Sequence, residues 1–418
     1  MPQVVRALCL CILFCAAIFG GSPGFYLHDG DTVVFYGDSI TNQRLYTVFT
    51  EAYVLTRFPQ LHVRFIHSGI SGDRVSGGYG GTIDERLQRD VFAYHPTVVT
   101  IMLGMNDGEY GPYNAEVFNK YASGYRHIIE KLKAEMPGTR ITVLEPSAYD
   151  DVTREPQFAG GYNQVLIQLG QFVREMAKSS HLLDADLNAP VVSLLRAAFQ
   201  SAEPAQKLIP DRVHPSPGVH MVMAEALLQA WNAPSIVTSV EIDATRGVAK
   251  NARNTAVDSI DHSNGLSWTQ TDRALPMPRD TPEETIDVAL RRSDFTQALN
   301  QELLKFDGLA TGKYRLRIDD DEIGVFDAGA LGQGINLASM NTPMSRQAKI
   351  VLDLTHRHNH LHFARLMMID QALREYKLTK TEPAMEALDN LEEEVVALQR
   401  ATAQPKRHQY RLDAIPSH

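Results

Sequence analysis

The sequence predicts a three-layer α/β fold of flavodoxin-like type in its first half, followed by a small antiparallel β module and C-terminal helices. Three observations carry this. Short apolar runs alternate with helical patterns from about Tyr26 to Trp231, which is the pattern of a parallel sheet covered on both faces. The runs end in glycine-rich or polar loops, where such sheets hold their functional groups. After Trp231-Asn232-Ala233-Pro234 that rhythm stops.

Taken in order, the strand candidates are Thr32 to Tyr36, Val63 to His67, Thr97 to Leu103, Arg140 to Glu145 and Leu182 to Asp184. Between the first two, Leu45, Phe49, Ala52, Tyr53 and Leu55 recur at helical spacing and Pro59 ends the element. Ala115 to Met136 reads as a second helix stopped by Pro137-Gly138, and Gly161 to Lys178 as a third. The last runs from Met221 to Trp231. In the second half, residues 237–242, 314–318 and 323–325 alternate as strands, the latter two around a charged turn at Asp319 to Glu322. The stretch from Asn251 to Asp280 is expected to supply irregular strands and loops. From Pro343 the pattern turns helical, with Met385, Leu388, Leu391, Val395 and Leu398 as one apolar stripe, and the residues after Ala401 are expected to be loosely held. The implied organisation is 1–22 signal peptide, 23–232 sheet domain, 233–340 β-rich module and 341–418 helical region.

The first segment places Arg6 ahead of an apolar run from Ala7 to Phe19 and then small residues, which reads as a secretory signal. The run is shorter than the ~20 residues of a spanning helix. All three cysteines, Cys9, Cys11 and Cys15, lie inside it, so an exported mature chain would be held by its core without disulfides. Phe14 before Cys15 is not the small residue a lipoprotein signal needs. A formal charge of −10 with no basic stripe argues against nucleic acid as a partner, and no later stretch is apolar enough for a membrane span. The oligomeric state is open.

Four blocks carry chemistry. Gly37-Asp38-Ser39-Ile40 follows the run Val33-Val34-Phe35-Tyr36, placing a serine at a strand end with glycine permitting a sharp turn. Gly69-Ile70-Ser71-Gly72-Asp73, Gly104-Met105-Asn106-Asp107 and Asp211-Arg212-Val213-His214-Pro215 follow in that order. A serine hydroxyl needs a base, and Asp211 is spaced to orient the ring of His214. Read alone, the glycines are turn residues, Asn106-Asp107 is a polar turn, and Asp38 and Asp107 brace their own loops.

These four blocks in this order resemble the SGNH or GDSL hydrolase family. The resemblance implies Ser39 as nucleophile, His214 as base and Asp211 as its partner. It places the oxyanion donors on the Ser39 amide, the Gly72 amide and the Asn106 side chain. It implies no metal and no cofactor. One departure is His67-Ser68-Gly69, where the family often has asparagine two residues before the glycine; His67 is expected to be a buried, hydrogen-bonded residue. His220 competes with His214 as base and is assigned a structural role. Asp38, Tyr79, Asp107 and Tyr110 are candidates to line the substrate cleft, and Gly77, Gly78, Gly80 and Gly81 lack the lysine ending of a phosphate loop, so they form a mobile rim.

The function implied is an exported serine esterase, with O-acetyl groups on a carbohydrate as the favoured substrate. The rival readings are a lysophospholipase or thioesterase and, from another class, a silent glycan-binding or scaffold protein. Two features stand outside the resemblance. His356, His358, His360 and His362 cluster without the glutamate of a zinc helix, and Trp268 is either a stacking platform for sugar or a core residue.

Overall fold

The computed structural model describes residues 24–263, 265–278, 283–376 and 378–416. The candidate signal peptide therefore lies outside the described residues. The first sheet contains β1 (Thr32–Gly37), β2 (Arg64–Gly69), β3 (Val98–Met102), β4 (Arg140–Leu144) and β5 (Leu183–Ala185). Its order is β2-β1-β3-β4-β5 and every pairing is parallel, which is the flavodoxin-like arrangement. The sequence shows these strands as continuous apolar runs because both faces are covered; Val33, Val34, Phe35 and Tyr36 are all fully buried.

Helices α1 (Leu45–Arg57), α2 (Ile83–Asp90), α3 (Ala115–Glu135), α4 (Gly161–Ser180), α5 (Ala189–Gln200) and α6 (Pro217–Ala230) accompany this sheet. Thr82 and Glu85 form a capping box that starts α2, and Asn114 caps α3 through two backbone amides. Helix α6 begins four residues before the expected Met221, because Pro217 occupies its first turn and carries no amide to satisfy.

The second half forms the expected β module ahead of the C-terminal helices, divided into two sheets and antiparallel in all but one pairing. Its strands are β6 (Ile236–Asp243), β7 (Val248–Arg253), β8 (Thr255–Asp261), β9 (Leu266–Asp272), β10 (Gln301–Asp307), β11 (Lys313–Ile318), β12 (Asp321–Asp327), β13 (Ile335–Asn336) and β14 (Arg407–Ile415). One sheet, β8-β9-β14-β11-β12, is antiparallel; the other, β13-β10-β6-β7, contains the parallel pair β6 and β10. The crossover between β6 and β10 includes helix α7 (Glu284–Arg292). The expectation that residues after Ala401 are loosely held is overturned: β14 is the middle strand of its sheet, with Tyr410 and Leu412 buried. Alternation in His408, Tyr410 and Leu412 is the signal that points to a strand there. Trp268 is a core residue, only 2% exposed and stacked on Tyr410 at 5.0 Å between ring centroids.

The C-terminal helices α8 (Pro343–Phe363) and α9 (Thr381–Ala403) pack on each other and on α1. Their contact with α1 is polar. Glu51 of α1 accepts from His358 Nδ1 at 2.9 Å, from Gln399 at 3.0 Å and from Asn359 at 3.2 Å. His358 Nε2 lies 3.0 Å from Glu392 of α9. Both ring nitrogens of His358 thus face carboxylates, so both donate and the ring is an imidazolium. Burial alone would lower its pKa, but Glu51 and Glu392 outweigh burial and raise it to about 10. On the other side of Glu51, His67 Nε2 lies 3.1 Å from the carboxylate and its Nδ1 2.6 Å from the Thr47 hydroxyl. That ring is neutral, and burial pushes its pKa down to about 4. A second histidine of the cluster approaches the same carboxylate, His362 Nδ1 lying 3.5 Å from Glu392.

Removing one member of a buried charge pair strands the other and costs about 3–5 kcal/mol. Glu51→Gln is therefore expected to destabilise the chain by that amount in urea unfolding at pH 7. The pH dependence has a defined sign. His358 contributes stability that is complete below about pH 6.5 and lost as pH rises toward 10. Glu51 and Glu392, held well below the usual carboxylate range by their histidine partners against the cost of burial, contribute stability lost as pH falls below about 4.3. The alkaline loss is expected to shrink in Glu51→Gln, measured as the unfolding midpoint from pH 6 to pH 10; an unchanged slope would contradict the charged state of His358.

Candidate active site

The site is assembled by the order of the strands. Since β1 lies between β2 and β3, the loops after these three strands are neighbours at one sheet edge. They carry Ser39, Gly72 and Asn106. Gly37 at the end of β1 has no room for a side chain: a Cβ would lie 2.2 Å from Thr41 Oγ1 and 2.7 Å from the Met102 carbonyl oxygen. The chain can therefore turn at once into a helical turn, Ser39–Asn42, capped by Asp38, which accepts from the Ile40 amide at 2.9 Å. Ser39 stands at its first position.

His214 Nε2 lies 2.9 Å from Ser39 Oγ, and His214 Nδ1 lies 2.6 Å from Asp211 Oδ2. The other carboxylate oxygen of Asp211 accepts from the amides of Val213 at 2.9 Å and His214 at 2.7 Å. Partial burial would raise the Asp211 pKa, but the His214 amide, its ring and the Val213 amide outweigh that and lower it. The ionised carboxylate selects the tautomer with hydrogen on Nδ1, leaving Nε2 to accept from the serine hydroxyl. Arg212 holds the left-handed backbone between them at φ 72°, and its guanidinium donates to the carbonyls of Asp150 at 3.2 Å and Glu155 at 2.9 Å.

Gly72 adopts φ 77°, which favours glycine. The next residue, Asp73, links the two outer loops, because its carbonyl accepts from Asn106 Nδ2 at 3.0 Å. Asp107 makes a second link by accepting from the Val75 amide at 3.0 Å. Tyr110 donates its hydroxyl to Asn106 Oδ1 at 2.9 Å, so this bond and the Asp73 carbonyl on Nδ2 together orient the amide. Asp38 and Asp107 are buried, and burial raises each carboxyl to about 7. Each braces its loop, Asp38 through the Ile40 amide and Asp107 through the Val75 amide. Tyr79 is 94% exposed, and its ring edge lies over Gly72, where an added Cβ would be 2.9 Å from Cε2.

The competing histidines are accounted for. His220 accepts from the Tyr46 amide at 3.2 Å and lies 3.1 Å from Gln43 Oε1, while burial pushes its pKa down to about 3. It braces the turn after Ser39, since Gln43 also donates to the Pro215 carbonyl at 3.2 Å beside His214. Sequence reasoning missed Arg86. Its fully buried guanidinium donates to Asp73 Oδ2 at 2.6 Å and to the Ser68 carbonyl at 3.2 Å, pairs with Asp90, and lies over the Tyr36 ring at 4.7 Å. It anchors both ends of the Gly72 loop. In sequence, Arg86 and Asp90 look like an ordinary solvated i, i+4 pair.

Residues 35–222 match the GDSL-like lipase/acylhydrolase family. The first half of the chain is an SGNH/GDSL hydrolase. The hydrolase domain is 26% identical over 221 residues to an acetylxylan esterase of Geobacillus stearothermophilus, covering 48% of this chain and 93% of that enzyme. A solved structure described as a gut microbial diltiazem-metabolizing enzyme is 27% identical, with a TM-score of 0.82 over 94% of this chain and 99% of that one. That likeness therefore extends through the second half, which the family match does not reach. The chain is an ester hydrolase.

Losing the Tyr110 hydroxyl leaves the Asn106 amide held only through Nδ2 by the Asp73 carbonyl. Tyr110→Phe is expected to lower kcat on p-nitrophenyl acetate about tenfold, the equivalent of one oriented hydrogen bond, with KM little changed. Asn106→Ala is expected to lower it about 10²–10³-fold. A Tyr110→Phe enzyme with unchanged kcat would show that the amide is oriented by other means.

Proposed function

We propose that this ester hydrolase is an exported serine esterase that removes O-acetyl groups from a carbohydrate. The observation that carries the mechanism is the continuous hydrogen-bonded series Ser39 Oγ, His214 Nε2, His214 Nδ1 and Asp211 Oδ2. As Ser39 Oγ bonds to the ester carbonyl carbon, its proton passes to His214 Nε2, and Asp211 stabilises the imidazolium. The carbonyl oxygen becomes an oxyanion, met by the amides of Ser39 and Gly72 and by Asn106 Nδ2; one such donor contributes about 3–4 kcal/mol. Collapse of the tetrahedral intermediate breaks the bond to the alcohol oxygen, which takes the proton from Nε2. Water then attacks the acyl-serine and gives its proton to His214 Nε2, which passes it to Ser39 Oγ as the acyl–serine bond breaks, releasing the acid and the free serine.

Two considerations support acetylated carbohydrate. The acetylxylan esterase relative aligns over nearly its whole length, and the N-terminal segment has the composition of an export signal. No helix among the described residues is long and apolar enough to cross a membrane.

The test is acetate release from a panel of acetylated oligosaccharides by the mature chain. Ser39→Ala is expected to reduce release by about 10⁴-fold or more and to abolish labelling by a fluorophosphonate probe. Retained activity in that variant would refute the assigned nucleophile. Across p-nitrophenyl esters, kcat/KM is expected to fall from acetyl to longer acyl chains; a rise would move the substrate to lipids or thioesters.

A further inference from the structure

We infer that the C-terminal helical region builds a binding subsite for the sugar units that flank the acetylated residue, in a groove entered past Tyr79, and that it selects neutral oligosaccharides. This rests on the esterase reading above and extends it to residues far outside the hydrolase domain.

The groove has a volume of about 920 Å³ and lies between the glycine-rich loop with α2 on one wall and the segment just after α8 on the other. Tyr79 is the hinge between this groove and the active-site cleft, since it lines the groove while its ring edge covers Gly72. The loop that carries it is held by antiparallel pairing of Gly77 with Thr82 and Gly78 with Gly81, and by Arg89 donating to the Gly80 carbonyl at 2.8 Å. The expectation of a mobile rim is thereby revised to a braced one. A large aromatic ring raised into water on a braced loop has an unburied face, and the apolar face of a pyranose ring is the kind of surface that covers it.

The opposite wall has two unusual features. Residues Ala364–Gln371 form a π-helix, a rare form that is frequent at functional sites. At its end, Gln371 lines the groove, and its Nε2 is shielded from water without a hydrogen-bond partner. Leaving a donor in that state is costly, and a rotation of the flexible side chain would turn it onto a ligand hydroxyl. Beside it Arg374 pairs with Asp370 at 2.5 Å, so both present fixed polar atoms to the groove.

Charge decides the class of ligand. The groove lining carries the carboxylates of Asp84, Glu85, Asp370 and Glu375 against the guanidiniums of Arg89 and Arg374. Four negative groups against two positive ones disfavour a uronate polymer or an anionic lipid headgroup. A neutral chain of hydroxyl-bearing rings finds both donors and acceptors there, with Tyr79 as the stacking surface.

The experiment is calorimetric titration of the Ser39→Ala chain with acetylated xylotetraose and with acetylated xylose, paired with acetate release by the chain with Ser39 intact. The tetrasaccharide is expected to bind at least tenfold tighter than the monosaccharide. Tyr79→Ala, Gln371→Ala or Arg374→Ala, each added to Ser39→Ala, is expected to remove most of that advantage, and an oligogalacturonate is expected to bind more weakly than the neutral tetramer. Equal affinity for the two acetylated sugars, or an advantage that survives all three substitutions, overturns the subsite. Tight tetrasaccharide binding lost with Tyr79, alongside no acetate release by the chain retaining Ser39, keeps the subsite and sinks the esterase reading. Acetate release with the same kcat/KM from both sugars, before and after the groove substitutions, does the reverse.

Discussion

Everything at the site depends on β1 lying in the middle of a parallel sheet with no space at its end. A strand flanked on both sides by parallel neighbours delivers three loops to one edge. The missing side chain of Gly37 lets the first of them turn within one residue. Ser39 is thus held by the sheet itself, and the Gly72 and Asn106 loops inherit their positions from β2 and β3. A bulkier residue at Gly37 would collide with Thr41 and with the backbone of β3, so this geometry is a packing constraint before it is a chemical one.

A second layer of control is electrostatic and buried. Arg86 and Asp73 hold the Gly72 loop from beneath, and Asp73 passes that support to Asn106 through its carbonyl. Charges of this kind cost desolvation energy that only well-placed partners offset. The guanidinium meets that condition with two carboxylates, a carbonyl and an aromatic face. The chain from His67 through Glu51 and His358 to Glu392 is the corresponding device between the hydrolase fold and the C-terminal helices. Its members come from β2, α1, α8 and α9, so the two halves of the sequence share one buried ionic core. Arg57 adds to this junction, donating to the carbonyls of Pro234 and Leu299, each at 2.7 Å.

The legibility of these features followed physical locality. The strands of the first sheet were readable because a strand buried on both faces must be apolar throughout. Asp211 and His214 were readable because their partnership spans three residues of one loop. Tyr110 was visible as a cleft residue, but its grip on Asn106 depends on a left-handed turn at Glu109 and Tyr110 that composition does not announce. Arg86, Glu51 and His358 were illegible as a class. A charged residue on an amphipathic helix looks solvated until another element covers it, and the covering element of Glu51 begins nearly three hundred residues later. The terminal strand β14 was mistaken for a loose tail because its polar face and the basic residues before it masked the alternation.

The sequence by itself therefore determined the parallel α/β class of the first half, the order of its strands along the chain, the four loops of the candidate site and the residue types available in them. Those follow from local periodicity and from turn chemistry, which act over a few residues. Only the tertiary structure decided which ring nitrogen of His214 meets Ser39, that His358 lies between two buried carboxylates, that Trp268 is buried, and that the C-terminal segment faces Tyr79. Each of these depends on which groups exclude water from one another across distant parts of the chain, and burial is a property of the folded whole.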